Sequence, residues 1–385
     1  EFFAWPMQEL MLGLPQDAST LEYAVQWLVS FAASSKFYSL FSFLFGLGFT
    51  VIMARAEARG AGGVRLFVRR LFILLAIGII HGVLIWAGDI LTAYAIIGFL
   101  LLAMNKLKPR TLLILSIVFL SLNLLFVTLV SGFMSLASPE GAAMMAKQAA
   151  EQKESMETAY QSAMQAYASS SWLEVTAQRW TDYSQLLIFL PFLLPSVLGM
   201  FLLGAWFGKR GFLAEPEKHL PFFRKLFIAG LVIGVPCAAY FATAGMYLDM
   251  YWPTGETWLA TMANGIAAPL ICLLYVSIFV LFLRNVRFLA PLASMGRMAL
   301  TNYLLQSLVW STVFYGYGLD LFGTVGMPAL VLGGVVFWLL QIPFSHWWLG
   351  RYRFGPAEWV WRSLTYGKRQ PMRKLPDAQV ANNAA

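Results

Sequence analysis

The 385-residue chain is 59% hydrophobic and 12% charged, whereas a soluble domain is about half apolar and about a quarter charged. Its two cysteines, Cys237 and Cys272, both lie within apolar runs, so no disulfide framework is indicated. The net charge of +8 comes from basic residues in alternate connections between apolar runs, a distribution that membrane topology explains without nucleic acid. We therefore expect an all-α polytopic membrane protein that binds no nucleic acid.

Nine apolar runs are each close to the ~20 residues that an α-helix needs to cross ~30 Å of hydrocarbon. The first four predicted spans cover 37–54, 69–87, 90–104 and 111–133, and five more cover 186–207, 226–246, 259–283, 298–319 and 327–349. Between the two groups, residues 134–185 are rich in Ala, Gln, Glu and Met, which favours a helical insert. We expect this insert to be either a lid over the membrane helices or a solvated spacer.

The charge pattern predicts the side of the membrane on which each connection lies. Basic clusters alternate with acidic connections, and the C-terminal tail 350–385 is basic and aromatic. By the positive-inside rule the basic set and the tail are cytoplasmic, which makes the insert extracytoplasmic. Residues 1–36 then form an outer segment with a short amphipathic helix over 18–36. An outer start predicts a tenth helix before this sequence, and we expect 1–385 to form a single membrane domain.

One very apolar run contains a histidine and an aspartate, His81 and Asp89. His81 lies 11 residues beyond Arg70, roughly 16 Å along a helix, near the bilayer midplane. Glycines flank it at the spacing of close helix approach, so we expect it to face the bundle interior. Its role is an interhelical hydrogen bond, a general base for acyl transfer, or a proton relay in transport. Asp89 either caps the third span or partners the histidine or an acceptor.

A second group of polar residues lies near the inner end of the eighth span. Asn302 and Gln306 share a helix face at i, i+4, one turn inside the membrane. With nearby arginines they would line a vestibule for the phosphates of CoA or of an anionic lipid. The alternative is that the arginines only anchor helices and the amides only bond between helices. The candidate substrate-binding residues are Arg297, Asn302, Tyr303, Gln306, Arg69 and Arg70.

Four ordered motifs extend over nearly the whole chain. They are KFYSLFSFLFGLGF (36–49), the run from RRL through HGVLIWAGDILTAYA (69–95), GRMALTNYLLQS (296–307) and GPAEWVWRSLTYG (355–367). In these motifs the chain resembles the YeiB-like family, domain of unknown function 418. The resemblance implies a multi-pass protein of the bacterial inner membrane, related to multi-spanning acyltransferases such as heparan-α-glucosaminide N-acetyltransferase. The outer-loop histidine of those acetyltransferases has no counterpart in residues 27–36, so it is not carried over.

The expected function is transfer of an acyl group from a cytoplasmic acyl-CoA-type donor to an acceptor at the outer face. His81 would be the catalytic base or proton shuttle, and Asp89 its partner on the outer side. We expect membrane lipids as partners, no metal and no tightly bound cofactor. The sequence does not decide between a monomer and an oligomer. One alternative is a transporter or channel for a small metabolite or lipid that uses the same polar residues. Another is a structural or sensory protein whose polar side chains only hold helices together.

Overall fold

The computed structural model describes residues 3–6, 18–58, 60, 62–136, 138–248, 254–286 and 289–374. Over these residues the regular secondary structure is helical, apart from one isolated antiparallel bridge between Tyr352 and Arg373. Parts of the predicted outer segment (1–2 and 7–17) and of the predicted tail (375–385) lie outside the described residues.

The helices follow one another through mostly short connections. The first seven are α1 (Thr20–Ala32), α2 (Lys36–Ala58), α3 (Gly63–Leu84), α4 (Leu91–Ala103), α5 (Pro109–Ser135), α6 (Pro139–Tyr167) and α7 (Trp172–Arg210). After a 3₁₀ turn at Pro216–His219 come α8 (Leu220–Ala229), α9 (Val235–Tyr247), α10 (Gly255–Ile278), α11 (Ala290–Arg297), α12 (Ala299–Phe314), α13 (Met327–Arg351) and α14 (Pro356–Tyr366). A π-helical turn at Gly230–Gly234 joins α8 to α9, and another at Phe279–Leu283 extends α10.

In the described part of the chain, seven helices are long and apolar enough to cross a membrane. They run over Thr20–Ala58, Gly63–Leu84, Pro109–Met134, Trp172–Arg210, Pro216–Tyr247, Gly255–Leu283 and Met327–Arg351, and each overlaps one predicted span. The other two predicted spans, 90–104 and 298–319, correspond to α4 and α12, whose 13 and 16 residues cover only about 20 and 24 Å. The chain is thus a helical multi-pass membrane protein, while the predicted number of nine spans is not established.

The centre of the bundle is the crossing of α2 and α7, and two glycines set how closely these helices approach. A Cβ on Gly46 would overlap the backbone carbonyl of Phe201, and a Cβ on Gly204 would overlap that of Phe43. Two helix backbones come this close only where no side chain stands between them. Phe43 and Phe201 themselves are fully buried around the crossing. The long helix α7 is thereby fixed at the centre, and α3, α4 and α5 also pack against it.

Most of the described residues of the polar stretch 134–185 are helical. The stretch forms α6 and the N-terminal part of α7, whose first turns are capped by the hydroxyls of Ser138 and Ser171. With 39 residues, α7 is about 58 Å long, so it projects well beyond the ~30 Å hydrocarbon layer. The side of the membrane on which α6 lies stays a prediction.

Candidate functional site

The histidine and aspartate of the apolar run are hydrogen-bonded to each other. Helix α3 ends at Leu84, and the N–H groups of Ile85 and Trp86 both donate to the His81 carbonyl, at 3.0 and 2.9 Å. This turn reverses the chain and brings Asp89 back to the imidazole, with Nδ1 and Oδ1 2.9 Å apart. Both side chains are buried, with exposed fractions of 1% and 0%. A continuous helix would separate the two residues by about 12 Å, so the turn creates the pair.

Asp89 also caps the next helix. Its second oxygen, Oδ2, accepts a hydrogen bond from the Thr92 N–H at 2.8 Å, in the first turn of α4. A carboxylate that only accepts holds the imidazole in the form with its proton on Nδ1. The other ring nitrogen of His81, Nε2, is buried and has no hydrogen-bond partner in the described part of the chain. Asp89 therefore caps α4 and pairs with His81 at the same time, and the lone pair on Nε2 of His81 stays unused inside the bundle.

Two glycines of α3 allow polar groups on neighbouring helices to approach the helix of the histidine. A Cβ on Gly78 would lie 2.6 Å from both the backbone nitrogen and the hydroxyl of Thr92. A Cβ on Gly82 would lie 2.6 Å from Cδ2 of the Tyr183 ring on α7. The hydroxyls of Thr92 and Tyr183 are 2.8 Å apart and bond to each other. Helices α3, α4 and α7 thus meet closely around the His81–Asp89 pair.

Aromatic rings flank the imidazole of His81. The ring centroids of His81 and Tyr303 are 5.0 Å apart, and those of His81 and Trp86 are 6.2 Å apart. The Tyr303 hydroxyl is buried beside the Asp89 carboxylate and the Ile90 backbone, and it meets neither in ordinary hydrogen-bond geometry. Trp86 in turn stacks on Phe3, with centroids 4.1 Å apart. We call Phe3 and Trp86 the aromatic roof, because they connect His81 to the N-terminal segment.

A buried arginine that the sequence analysis missed binds the same end of α3. Arg179 on α7 is 0% exposed, and its guanidinium donates to the Leu84 carbonyl at 2.6 Å and to the Tyr317 hydroxyl at 2.8 Å. The Leu84 carbonyl is one of the groups left unpaired at a helix C-terminus, where the helix dipole also favours a positive charge. Arg179 therefore fixes the helix end that presents His81 and Asp89. Its only sequence signal was a charge inside a stretch assigned to the insert.

The end of α6 is bonded to α7 one helical turn after Arg179. The Asp182 carboxylate accepts from the Tyr167 hydroxyl at 2.6 Å and from the Gln178 amide at 2.9 Å. Burial raises the pKa of the Tyr167 phenol well above its ordinary value, so the phenol remains a neutral donor. The end of α6 is thereby anchored to the helix that carries Arg179.

A cavity of about 400 Å³ lies near the N-terminal part of α3, against the α11–α12 junction and α14. We call it the arginine cavity. Its lining includes four arginines, one acid and two aromatic rings: Arg70, Arg297, Arg353, Arg362, Glu358, Phe354 and Trp361. Arg70 and Arg297 were candidates from the sequence, whereas Arg353 and Arg362 were not. In the described part of the chain none of the four arginines forms a salt bridge.

Aromatic stacking holds two of these arginines in place. The guanidinium carbon of Arg70 lies 3.4 Å from the centroid of the Trp361 ring, and the indole N–H donates to the Arg70 carbonyl at 3.1 Å. The guanidinium carbon of Arg362 lies 4.7 Å from the Phe354 ring. Arg69, the neighbouring candidate, contacts the Leu364 carbonyl at 3.5 Å and does not line the cavity.

The acid of the cavity is bonded to the start of α12. Glu358 accepts from the Thr301 N–H at 3.0 Å and from the Thr301 hydroxyl at 2.5 Å. The same hydroxyl accepts from the Ala357 N–H at 3.0 Å, in the first turn of α14. Glu358 and Thr301 thus cap each other's helices, and the carboxylate is directed to α12 rather than to an arginine.

The two amide candidates bond to α13. Asn302 donates to the Ser345 hydroxyl at 3.0 Å, and Gln306 donates to the Gln341 side-chain oxygen at 2.7 Å. Gln341 donates back to the Asn302 carbonyl at 3.0 Å. These are bonds between helices, and neither amide lines the arginine cavity.

Two helices connect the arginine cavity to the His81–Asp89 pair. On α3, Arg70 lines the cavity and His81 follows 11 residues later, about 16 Å along the axis. On α12, Leu300 lines the cavity and Tyr303 follows one turn later, beside the imidazole. Residues of the same two helices therefore line the basic cavity and flank the buried imidazole.

Comparisons with known proteins identify relatives along almost the whole chain. A family model described as "Protein of unknown function (DUF418)" matches residues 207–368. The chain is 37% identical over 373 residues to "Uncharacterized protein YxaH" of Bacillus subtilis (strain 168), covering 92% of this chain and 85% of that protein. It is 30% identical over 370 residues to "Uncharacterized protein YeiB" of Escherichia coli (strain K12), covering 91% and 86%. No solved structure matches the chain.

Proposed function

We propose a function for this chain, which belongs to the DUF418 family: transfer of an acyl group from a thioester donor to an acceptor within the membrane bundle. The observation that carries the proposal is the buried His81–Asp89 pair, whose Nε2 has no partner within the described chain. An imidazole oriented by a carboxylate at one nitrogen and free at the other is the arrangement of a general base.

The proposed reaction moves one proton through His81. Nε2 takes the proton from the hydroxyl or amine of the acceptor, while the acceptor oxygen or nitrogen attacks the thioester carbonyl carbon. The tetrahedral intermediate then collapses, the C–S bond breaks, and the thiolate leaves with the proton that Nε2 returns. Asp89 stabilises the imidazolium formed between the two proton transfers.

Tyr303 is placed to assist this reaction. Its ring lies 5.0 Å from that of His81, and its buried hydroxyl lies beside the Asp89 carboxylate without meeting it in ordinary hydrogen-bond geometry. A hydroxyl donor at this position would stabilise the oxyanion that develops on the thioester carbonyl. We therefore assign Tyr303 the role of oxyanion donor in the proposed reaction.

The two substrates would reach His81 from opposite sides. By the positive-inside rule the arginine cavity is cytoplasmic, so the thioester donor would enter along α3 and α12. The acceptor would enter from the outer side, where the aromatic roof contacts the imidazole. In the conformation described, His81 is 1% exposed and does not line the arginine cavity. Entry of the acceptor therefore requires Phe3 and Trp86 to move apart.

Release of free thiol from acyl-CoA tests the proposal. The protein is reconstituted in vesicles of total bacterial lipid, which supplies candidate acceptors, and is given acyl-CoAs of several chain lengths. We expect His81→Gln to slow thiol release by about 10²-fold or more, the usual contribution of a general base. His346→Gln is the matched control, because His346 is an exposed histidine on α13. Equal thiol release by both variants, or none by the unaltered protein with any donor, would remove the proposal.

A further inference from the structure

We infer that the arginine cavity binds a phosphate ester or diphosphate group, with Arg70, Arg353 and Arg362 as its principal ligands. The source of that group rests on the proposed function: it would be the nucleotide part of the thioester donor. That the cavity binds a phosphate group at all is inferred from the cavity alone.

The charge of the cavity is unbalanced. Four guanidinium groups line about 400 Å³, and Arg362 repels Arg70 electrostatically. The one acid in the lining, Glu358, is already bonded to Thr301 at the start of α12. Within the described chain no carboxylate approaches any of the four arginines closely enough for a salt bridge. A bound anion would relieve this repulsion and supply the missing acceptors.

The guanidinium groups are also positioned before any ligand arrives. An arginine that only anchors a helix keeps its long side chain free at the membrane surface. Here Arg70 lies over the Trp361 ring and Arg362 lies over the Phe354 ring, which restricts both side chains without using their N–H donors. The donors that remain free point to a ligand with many acceptor oxygens.

Phosphate fits this arrangement better than a carboxylate does. A carboxylate has two oxygens, enough for one guanidinium fork, whereas a phosphate ester or diphosphate can accept from several forks at once. The start of α12 also contributes, because Ala299 and Leu300 line the same cavity at the positive end of the helix dipole. Phosphate groups occur both on nucleotides and on lipid headgroups, so the test must separate these two sources.

The test measures anion binding to the full chain purified in detergent. The probes are CoA, inorganic pyrophosphate, and phosphatidic acid in mixed detergent micelles, each in low and in high salt. The test variant is Arg353→Gln with Arg362→Gln, since both side chains are exposed and their loss removes no core contact. The control is Arg224→Gln, an exposed arginine of α8 outside the cavity. A third variant, Arg353→Lys with Arg362→Lys, keeps the charge but removes the planar fork.

We expect the double glutamine variant to bind the probes at least about tenfold more weakly, the double lysine variant to fall between, and the control to bind normally. Binding by CoA and pyrophosphate assigns the site to a nucleotide. Binding by phosphatidic acid alone supports the phosphate site and contradicts the donor route of the proposed function. Normal CoA binding without any thiol release supports the site and contradicts the enzyme. Failure of all three probes to bind, or equal affinity in the double glutamine variant, would overturn the inference.

Discussion

Replacement of Asp89 by asparagine should reverse the tautomer of His81 while leaving the fold in place. In the native pair one carboxylate oxygen accepts from the imidazole Nδ1 at 2.9 Å and the other accepts from the Thr92 N–H at 2.8 Å. An amide has a single oxygen, and the Thr92 N–H can only donate. That oxygen must therefore stay with Thr92, and the amide NH₂ then faces Nδ1. Nδ1 becomes an acceptor, the proton moves to Nε2, and the base loses its free lone pair.

The expected magnitudes separate catalysis from stability. Asp89→Asn changes the character of one hydrogen bond without losing it, so we expect a stability loss of only about 1 kcal/mol. Asp89→Ala leaves two buried groups unpaired, on His81 and Thr92, at about 1–3 kcal/mol each. Both variants should lose about 10²- to 10⁴-fold in rate: Asp89→Asn places the proton on Nε2, and Asp89→Ala removes the carboxylate that orients the imidazole and stabilises the imidazolium. Similar rate losses with unequal stability losses would show that the rate loss does not follow from destabilisation.

Nitrogen NMR reads the tautomer directly. The chain has three histidines, so a protein with ¹⁵N-labelled histidine gives few signals, and the His81→Gln protein identifies those of His81. We expect the protonated nitrogen to be Nδ1 in the unaltered protein and Nε2 in the Asp89→Asn protein. Thermal unfolding in detergent and thiol release are measured on the same samples. An unchanged tautomer, or thiol release within about threefold of normal, would refute the role given to Asp89.

Three further substitutions test the packing around the two sites. Gly82→Ala should lower the free energy of unfolding by about 1–3 kcal/mol because its Cβ meets the Tyr183 ring, whereas Gly48→Ala, with open space beside it, should not lower it. Thr92→Val should cost about 1–3 kcal/mol by leaving the Tyr183 hydroxyl unpaired, and adding Tyr183→Phe should restore part of that loss. Glu358→Gln should destabilise the start of α12 by about 1 kcal/mol and yet tighten pyrophosphate binding, since it removes a negative charge from the cavity. Chemical or thermal unfolding measures the first two, and calorimetry adds the affinity for the third.

The contradicting outcomes differ for each substitution. Equal stability of the Gly82→Ala and Gly48→Ala proteins would mean that α3 and α7 are less close than described. A double variant at Thr92 and Tyr183 that is less stable than either single variant would show that the hydroxyl pair is not isolated. Weaker pyrophosphate binding after Glu358→Gln would mean that the carboxylate positions the ligand or its arginines instead of repelling the ligand.

The sequence predicted the helical class and the two residues of the buried pair, and it left their pairing as one of the alternatives for Asp89. Periodicity and hydropathy identify a helix and its interior face, and His81 lies on the buried face of α3 as expected. Whether Asp89 reaches it depends on where α3 ends and how the turn 85–90 folds, which is decided by tertiary contacts. One of those contacts is the hydrogen bond from Arg179 to the carbonyl of Leu84, and these two residues are 95 positions apart in the sequence.

The arginine cavity shows the same limit at longer range. Net charge and the positive-inside rule indicate that arginines gather at one face, and Arg70 and Arg297 were identified in this way. Arg353 and Arg362 lie beside Arg70 and Arg297 because the start of α14 is bonded to the start of α12 through the reciprocal caps of Glu358 and Thr301. Asn302 shares a helix face with Gln306 as predicted, but a helix face alone does not reveal which neighbour covers it. The predicted span 90–104 agrees with α4 to within one residue at each end, whereas the predicted span 298–319 continues past the end of α12 at Phe314 into residues that the chain uses for turns.

The most direct test of acyl transfer through this bundle is a sidedness measurement in oriented vesicles. Acyl-CoA labelled in the acyl group is supplied either to the side that carries the arginine cavity or to the opposite side, and the label is followed. We expect thiol release only when the donor meets the arginine cavity, label on an acceptor at the opposite side, and neither event with His81→Gln. Thiol release of equal rate from both sides, or label that never leaves the donor side, would contradict transfer through His81.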